Sequence, residues 1–285
     1  MLQKILKILT AVLLLLTMQA SAQIVLDTSK AIQPSTQVTF SAGYASNLHY
    51  FGRTDSLKSS AFVPAVTVKF TNGLYLSSSF IFVNNTNTKF AYTAAITEAG
   101  YKFGKETGIA GSVYADKFFY AANSGLVQSV QKGQVGTVLS HLNKIVNINS
   151  GASAVFSDKT DFFAFAGLDH LFRKDIGQFV LLANPTVTMN AGTQNFTSTY
   201  YKKRNVLFLP VAEEKVTESS RNFQVLSYEA SLPITCIYKR FAVNISPSYV
   251  IPQNVIKVAN RPDLSETAAN LFYANVGISY TLGRF

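Results

Sequence analysis

Three histidines, His49, His141 and His170, and one cysteine, Cys236, are the side chains of this sequence best suited to nucleophilic or metal chemistry. A strand with a histidine two residues before a serine turns both to one face, where the imidazole can take the hydroxyl proton. Here the positions two residues on hold Phe51, Asn143 and Phe172, so none of the three fits. Asp169-His170 is the only adjacent acid and imidazole. Neighbours in a strand point to opposite faces, so rim or turn polarity is the better reading of that pair. Scattered histidines and one cysteine make no zinc-ligand cluster, and no glycine-rich phosphate loop or dinucleotide fingerprint appears. The sequence therefore offers no catalytic, cofactor-binding or metal-binding set, and reads as a non-enzyme.

Charge gives two further candidates. Glu213-Glu214 with Asp263 and Glu266 could offer oxygen ligands to Ca²⁺, but Lys202, Lys203, Arg204, Lys215 and Arg221 share the region, which favours solvated loop charge. The net charge of +10 could indicate nucleic acid. The basic residues are nevertheless spread over loops and turns, with no basic face carrying interleaved aromatics. Contact with anionic lipopolysaccharide, or an anion bias inside a pore, suits such a distribution better.

The elements that would position these residues begin after a leader. Residues 1–22 carry Lys4 and Lys7, an apolar run through Leu13-Leu14-Leu15-Leu16, and a closing Ala20-Ser21-Ala22. These are the zones of a secretory signal peptide cleaved before Gln23, and the run is too short to span a bilayer as a helix. Loss of the two leader lysines leaves 23 basic and 15 acidic residues, a net of +8. Cys236 alone cannot form an internal disulfide, so the exported domain, residues 23–285, is expected to be stable without one.

Only 14% of the 285 residues are charged while 48% are hydrophobic. That charge fraction is far below the roughly 25% of soluble domains, which disfavours a water-covered surface. No later stretch approaches 18 apolar residues, so helical membrane spans are excluded. Apolar residues alternate instead. Leu181, Ala183, Pro185, Val187 and Met189 interleave with Asn184, Thr186, Thr188 and Asn190. The same period of two runs through Phe241 to Ile251 and through Phe272 to Leu282. The polar face is mostly Ser, Thr, Asn and Gly, as in a hydrated lumen, and the runs have the length of tilted membrane-spanning strands.

Short connections at 71–73, 104–108, 143–147, 173–177 and 235–239 alternate with others at 45–60, 84–88, 121–134, 157–160, 193–221 and 253–269. Asn72-Gly73 is the strongest turn signal among them. The pattern predicts an all-β, antiparallel, up-and-down transmembrane barrel of about twelve strands, with short periplasmic turns and long extracellular loops. Ten or fourteen strands remain alternatives, because residues 109–147 alternate poorly. A phase slip between Ile96 and Ala99 predicts a bulge, and Pro64, Pro185 and Pro247 predict pairing defects. By strand phase Lys69, Lys102, Glu98 and Glu229 face the lumen, with Asp116 a weaker inward assignment. The loop 193–221, with its apolar Val206 to Val211, is long enough to fold inward or to pack on the barrel mouth.

The terminal Phe285 closes the last amphipathic strand and resembles the recognition signal that outer-membrane barrels present to their insertion machinery. It stands out of phase with Tyr280 and Leu282, and Gly283 is the expected site of a bulge. Phe70-Thr71-Asn72-Gly73-Leu74-Tyr75, Pro185-Thr186-Val187 with Ala191 to Phe196, and Pro247-Ser248-Tyr249 with Ile251 to Asn254 resemble uncharacterised outer-membrane β-barrel proteins of the Bacteroidota. The resemblance covers nearly the whole mature chain, implies fold and location, and carries over no functional residue. The expected function is a porin-like passive channel for small hydrophilic, on balance anionic, solutes in the Gram-negative cell envelope. The alternative is a non-conducting structural or surface-interaction barrel. An outer-membrane lipid hydrolase stands third, for want of the His/Ser pair.

Overall fold

The computed structural model describes residues 35–54, 59–104, 108–121, 131–195, 222–255 and 268–283. The leader and Phe285 lie outside them, as does nearly all of the loop 193–221.

Twelve antiparallel walls close into one barrel. Nine are continuous: β1 (Gln37–Ala45), β4 (Ser60–Lys69), β5 (Leu74–Asn84), β6 (Ala91–Gly104), β7 (Gly108–Tyr120), β8 (Gly133–Leu142), β9 (Asn147–Phe156), β16 (Phe241–Pro252) and β17 (Leu271–Leu282). Three are built in two pieces: β10 (Thr160–Asp169) with β11 (Phe172–Ile176), β12 (Phe179–Ala183) with β13 (Thr186–Gly192), and β14 (Gln224–Ser231) with β15 (Ile234–Tyr238). Neighbours in sequence are neighbours in the sheet, and β17 pairs with both β16 and β1 to close the ring. Closure leaves no strand edge, which is how a sheet satisfies its backbone in lipid.

The short connections lie at one end of the barrel. At 71–73, Gly73 has φ of +92° and a Cβ there would stand 2.4 Å from the Lys102 carbonyl oxygen, so this position requires glycine. Asn72 Oδ1 accepts the Leu74 N–H at 3.1 Å and holds the turn. At 143–146, Asn143 Oδ1 accepts from the N–H groups of Ile145 and Val146. Two expected turns move. Residues 173–176 and 235–238 continue strands β11 and β15, and the chain reverses later, at Gly177 and at Lys239. The run Arg173-Lys174-Asp175 has turn-like polarity because Phe172 to Ile176 are all exposed, Arg173 and Asp175 pairing at 3.1 Å.

The expected bulge also moves. Residues 94, 96, 98, 100 and 102 all keep the inward phase, and the extra residue is Thr93, where the β5/β6 register shifts between Ile81/Ala94 and Phe82/Tyr92. The Thr93 hydroxyl donates to the Ile81 carbonyl at 2.9 Å, giving the bulge a bond of its own.

The prolines act together. His170-Leu171, Asn184-Pro185, Leu232-Pro233 and Ser246-Pro247 lie side by side on four neighbouring walls, at the level where three of those walls are interrupted. Missing proline donors are thus collected into one transverse crease, bridged by Asn184 N–H to Pro233 O and Leu232 N–H to Pro247 O. Pro64 interrupts the β4/β5 pairing without changing its register.

Outward positions are apolar around the wall, among them Phe40, Leu76, Ile109, Val113, Leu139, Val187, Phe241, Ile245, Phe272 and Ile278, all exposed. Such a belt suits lipid, not water. The core lies inside, where one connection turns back into the barrel. Between β1 and β4, the strands β2 (His49–Tyr50) and β3 (Arg53–Thr54) form a short hairpin whose residues 48–53 are buried.

Candidate functional site

The hairpin is a two-residue turn with positive φ at both central positions, 48° at Phe51 and 80° at Gly52. Glycine adopts this without strain; a phenylalanine there costs about 1 to 3 kcal/mol and persists only where packing holds it. That packing is present. Phe51 and Tyr50 join Val155, Phe163 and Leu226 in one buried cluster, with the Phe51 and Phe163 rings 6.0 Å apart. Leu48 joins Ala61, Ile81, Val83, Ala94, Ile96 and Phe118 in a second cluster. The first cluster belongs to walls β9, β10 and β14 and the second to walls β4 to β7. The hairpin therefore spans the lumen at the long-loop end.

Arg53 fastens it. Its guanidinium donates to the carbonyl oxygens of Gln253 at 2.9 Å, Leu226 at 3.2 Å, Phe51 at 3.3 Å and Asn254 at 3.4 Å. A planar fork of five donors suits this convergence of backbone oxygens. Arg53 also bridges through its backbone to Ala268, just before β17.

His49 lies on the inner side of the hairpin, its ring centre 4.2 Å from that of Tyr273 in an edge-to-face arrangement. Its Nδ1 accepts the Gly52 N–H at 3.2 Å, so the neutral ring carries its proton on Nε2. That Nε2 is buried and has no partner among the described residues. Burial lowers the His49 pKa to about 4, since the interior disfavours the charged form. The Tyr273 hydroxyl donates in turn to Glu229 Oε1 at 2.7 Å.

Below the hairpin lies a half-open chamber of about 270 Å³. Its aromatic surface comes from Phe51, Phe163 and Phe165, and its polar surface includes His49, Gln134, Asp169, Asn184, Glu229 and Tyr273. Gly151 makes room for this wall: a Cβ there would meet the Phe165 ring at 2.3 Å, so the ring lies flat against the strand. Asp169 is surrounded by amides. Asn147 Nδ2 donates to it at 2.9 Å, Asn149 Nδ2 donates to its other oxygen, and Asn184 Nδ2 donates at 2.8 Å in its hydrogen-bonding orientation. Asn184 lies in the proline crease, and Asn147 and Asn149 come from the adjoining wall β9.

The residues expected in the lumen divide into two groups. Lys69, Glu98 and Lys102 share the wall from β4 to β7, where the Lys102 ammonium stands 5.2 Å from the Tyr75 ring centre and Lys69 pairs in register with Tyr75. Glu98 faces Asp116 across the β6/β7 pair and both are buried. Glu229 stands apart from them, on β14 in the chamber. His170 lies at the crease, its Nδ1 2.5 Å from the Ile145 carbonyl oxygen, and Cys236 is exposed on β15. The acids of 213–214 and 263–266 lie outside the described residues. Among the described residues no group of three or more His, Cys, Asp or Glu is placed to hold a metal ion.

Sequence reasoning missed the hairpin, assigning any inward fold to 193–221. The signal was Leu48-His49-Tyr50-Phe51-Gly52: an apolar, aromatic run inside a loop, ending at a glycine. Like Val206 to Val211, it is an apolar stretch of loop beside water, which favours packing against the barrel.

No protein-family model matches the chain, and the search of curated proteins gives no match. Solved structures resemble it at low identity. A KdgM porin is 7% identical with a TM-score of 0.46, covering 87% of this chain and 99% of its own. A NanC porin is 12% identical with a TM-score of 0.44, covering 86% and 100%. LpxR from Salmonella typhimurium is 10% identical with a TM-score of 0.44, covering 86% and 99%. The chain is thus similar to closed outer-membrane barrels in shape, and its own closed ring of twelve walls defines its fold.

Proposed function

We propose that this chain is an integral outer-membrane channel for small hydrophilic solutes that rests closed, with the hairpin 48–54 as its stopper. The carrying observation is the hairpin itself, which crosses the lumen at the long-loop end and is fastened by Arg53 to the carbonyl oxygens of Leu226 and Gln253. A chamber lined by aromatic and polar side chains lies beneath it, where a barrel built only as a scaffold would fill its interior with side chains. The anion preference expected from the excess of basic residues is not part of the proposal. The chamber is lined by Asp169 and Glu229, and by no Lys or Arg among the described residues.

The signal peptide, the Bacteroidota kinship, insertion through Phe285 and contact with lipopolysaccharide belong to the same proposal. They rest on the sequence features given above and on the apolar outer wall. The alternative of a non-conducting barrel is favoured by one observation, the two apolar clusters that grip the hairpin. Single-channel recording in planar bilayers separates the two. Refolded wild-type protein is expected to show rare openings, and a variant with residues 48–54 replaced by a glycine-serine linker is expected to conduct steadily. A linker variant that folds and stays sealed overturns the channel in favour of the non-conducting barrel.

A further inference from the structure

We infer that the chamber beneath the hairpin binds one small, neutral, polyhydroxylated molecule of monosaccharide size. The inference deepens the reading of the barrel as a solute-handling protein and rests on it.

The size comes first. A volume of about 270 Å³ is under twice that of an engineered cavity of about 150 Å³ that holds one benzene ring, which suits a single sugar ring. The polar groups come next. His49 Nε2–H is a donor, buried, without a partner among the described residues, on a side chain that lines the chamber. His49 as a whole is only 2% exposed. Glu229 reaches the same chamber as an acceptor, held in place by the Tyr273 hydroxyl that stands between it and His49. A donor and a carboxylate presented together match a group that both accepts and donates, which is what a hydroxyl does.

Charge excludes anions, and the hydrogen-bond donors already placed on both carboxylates disfavour cations. An anion would meet Glu229 and Asp169 with no lysine or arginine among the described lining residues to receive it. A cation would find Asp169 already surrounded by the amides of Asn147, Asn149 and Asn184, and would meet the His49 N–H as a donor. The remaining surface is aromatic. Phe51, Phe163 and Phe165 offer flat apolar walls of the kind on which the C–H face of a sugar ring packs, in the usual mixture of apolar lining and few polar groups.

The experiment is ligand-observed NMR on the full mature chain refolded in detergent, with D-glucose, methylammonium and acetate as separate probes. Glucose is expected to bind saturably and the two ions not at all. Glu229→Leu and His49→Phe are expected to weaken glucose about tenfold or more, as loss of a buried hydrogen bond to a charged or preorganised group does. Lys132→Ala, at an exposed ion pair with Asp158 in which neither residue lines the chamber, should leave binding unchanged. Where either lining variant fails to give a folded barrel, Ser231→Phe serves instead, since it fills the chamber and leaves the hairpin intact.

Saturable methylammonium without glucose overturns the proposal in favour of a cation site, saturable acetate overturns it in favour of an anion site, and no saturable probe overturns it outright. Binding is read without any current, so the two readings fail separately. A barrel that binds glucose but stays sealed without its hairpin refutes the channel alone. One that conducts but never binds glucose refutes the site alone.

Discussion

Arg53 is the sharpest point at which to test the stopper. Arg53→Met keeps most of the apolar stem and removes every guanidinium donor. Hydrogen bonds from charged groups contribute about 1.5 to 3 kcal/mol each. Counting only the two shorter ones, to Gln253 at 2.9 Å and Leu226 at 3.2 Å, and taking the low end, docking weakens by about 3 kcal/mol. At about 1.4 kcal/mol per decade the undocked fraction then rises roughly a hundredfold. The assay is thiol labelling of Leu48→Cys in a Cys236→Ser background. Leu48 is buried against Ile81 and Phe118, so a reagent reaches it only when the hairpin leaves. With fast reclosing the labelling rate follows the open fraction, and it should rise roughly a hundredfold in the Arg53→Met background while barrel stability stays unchanged. A labelling rate within about twofold of the parent would show that apolar packing alone holds the hairpin, and the latch argument would be wrong.

Two further outcomes follow from the same geometry. His49 is held neutral by burial, with a pKa near 4 against 6.5 for a free imidazole, so the undocked hairpin takes up protons more readily. Docking should therefore be at full strength above pH 6.5, weaken by up to about 3 kcal/mol as pH falls to about 4, and change little below that. Channel opening or Leu48→Cys labelling measured from pH 7.5 to 4 should show the rise, and His49→Phe should flatten it; a parent curve that is already flat would contradict the reading. Gly73→Ala forces a side chain into φ of +92° beside the Lys102 carbonyl oxygen, and is expected to destabilise the barrel by about 1 to 3 kcal/mol. Heat-modifiable gel migration measures this, and an unshifted transition would mean that the turn relaxes freely.

The barrel was legible because its cause is local. A lipid-facing wall must place apolar residues at every second position, and a closed ring needs alternating turns, so Phe241 to Ile251 and Asn72-Gly73 carry their meaning within a few residues. The errors are also local. Arg173-Lys174-Asp175 has the composition of a turn, but it is the exposed end of a strand whose partner extends equally far. The bulge at Thr93 was misplaced because its signal is the pairing with Ile81 and Phe82, which no single strand contains.

The site was less legible, for a different reason. Strand phase placed Lys69, Glu98, Lys102 and Glu229 on the inner face, but phase does not say which wall of a ring stands beside which. Only the closed sheet separates Glu229 from the other three and brings it to Tyr273, 44 residues away along the chain. The sequence by itself determined the alternation and the residue types on each face, because these follow from the pleat and from the solvent on either side; it pointed to about twelve walls, and the closed ring decided between twelve and the alternatives of ten or fourteen. The tertiary structure alone decided that residues 48–54 enter the lumen, that Arg53 meets the carbonyl oxygens of Leu226 and Gln253, and that three separate prolines form one crease. The Arg53 contacts depend on ring closure, which makes neighbours of segments some two hundred residues apart, and the crease depends on the register between adjacent walls.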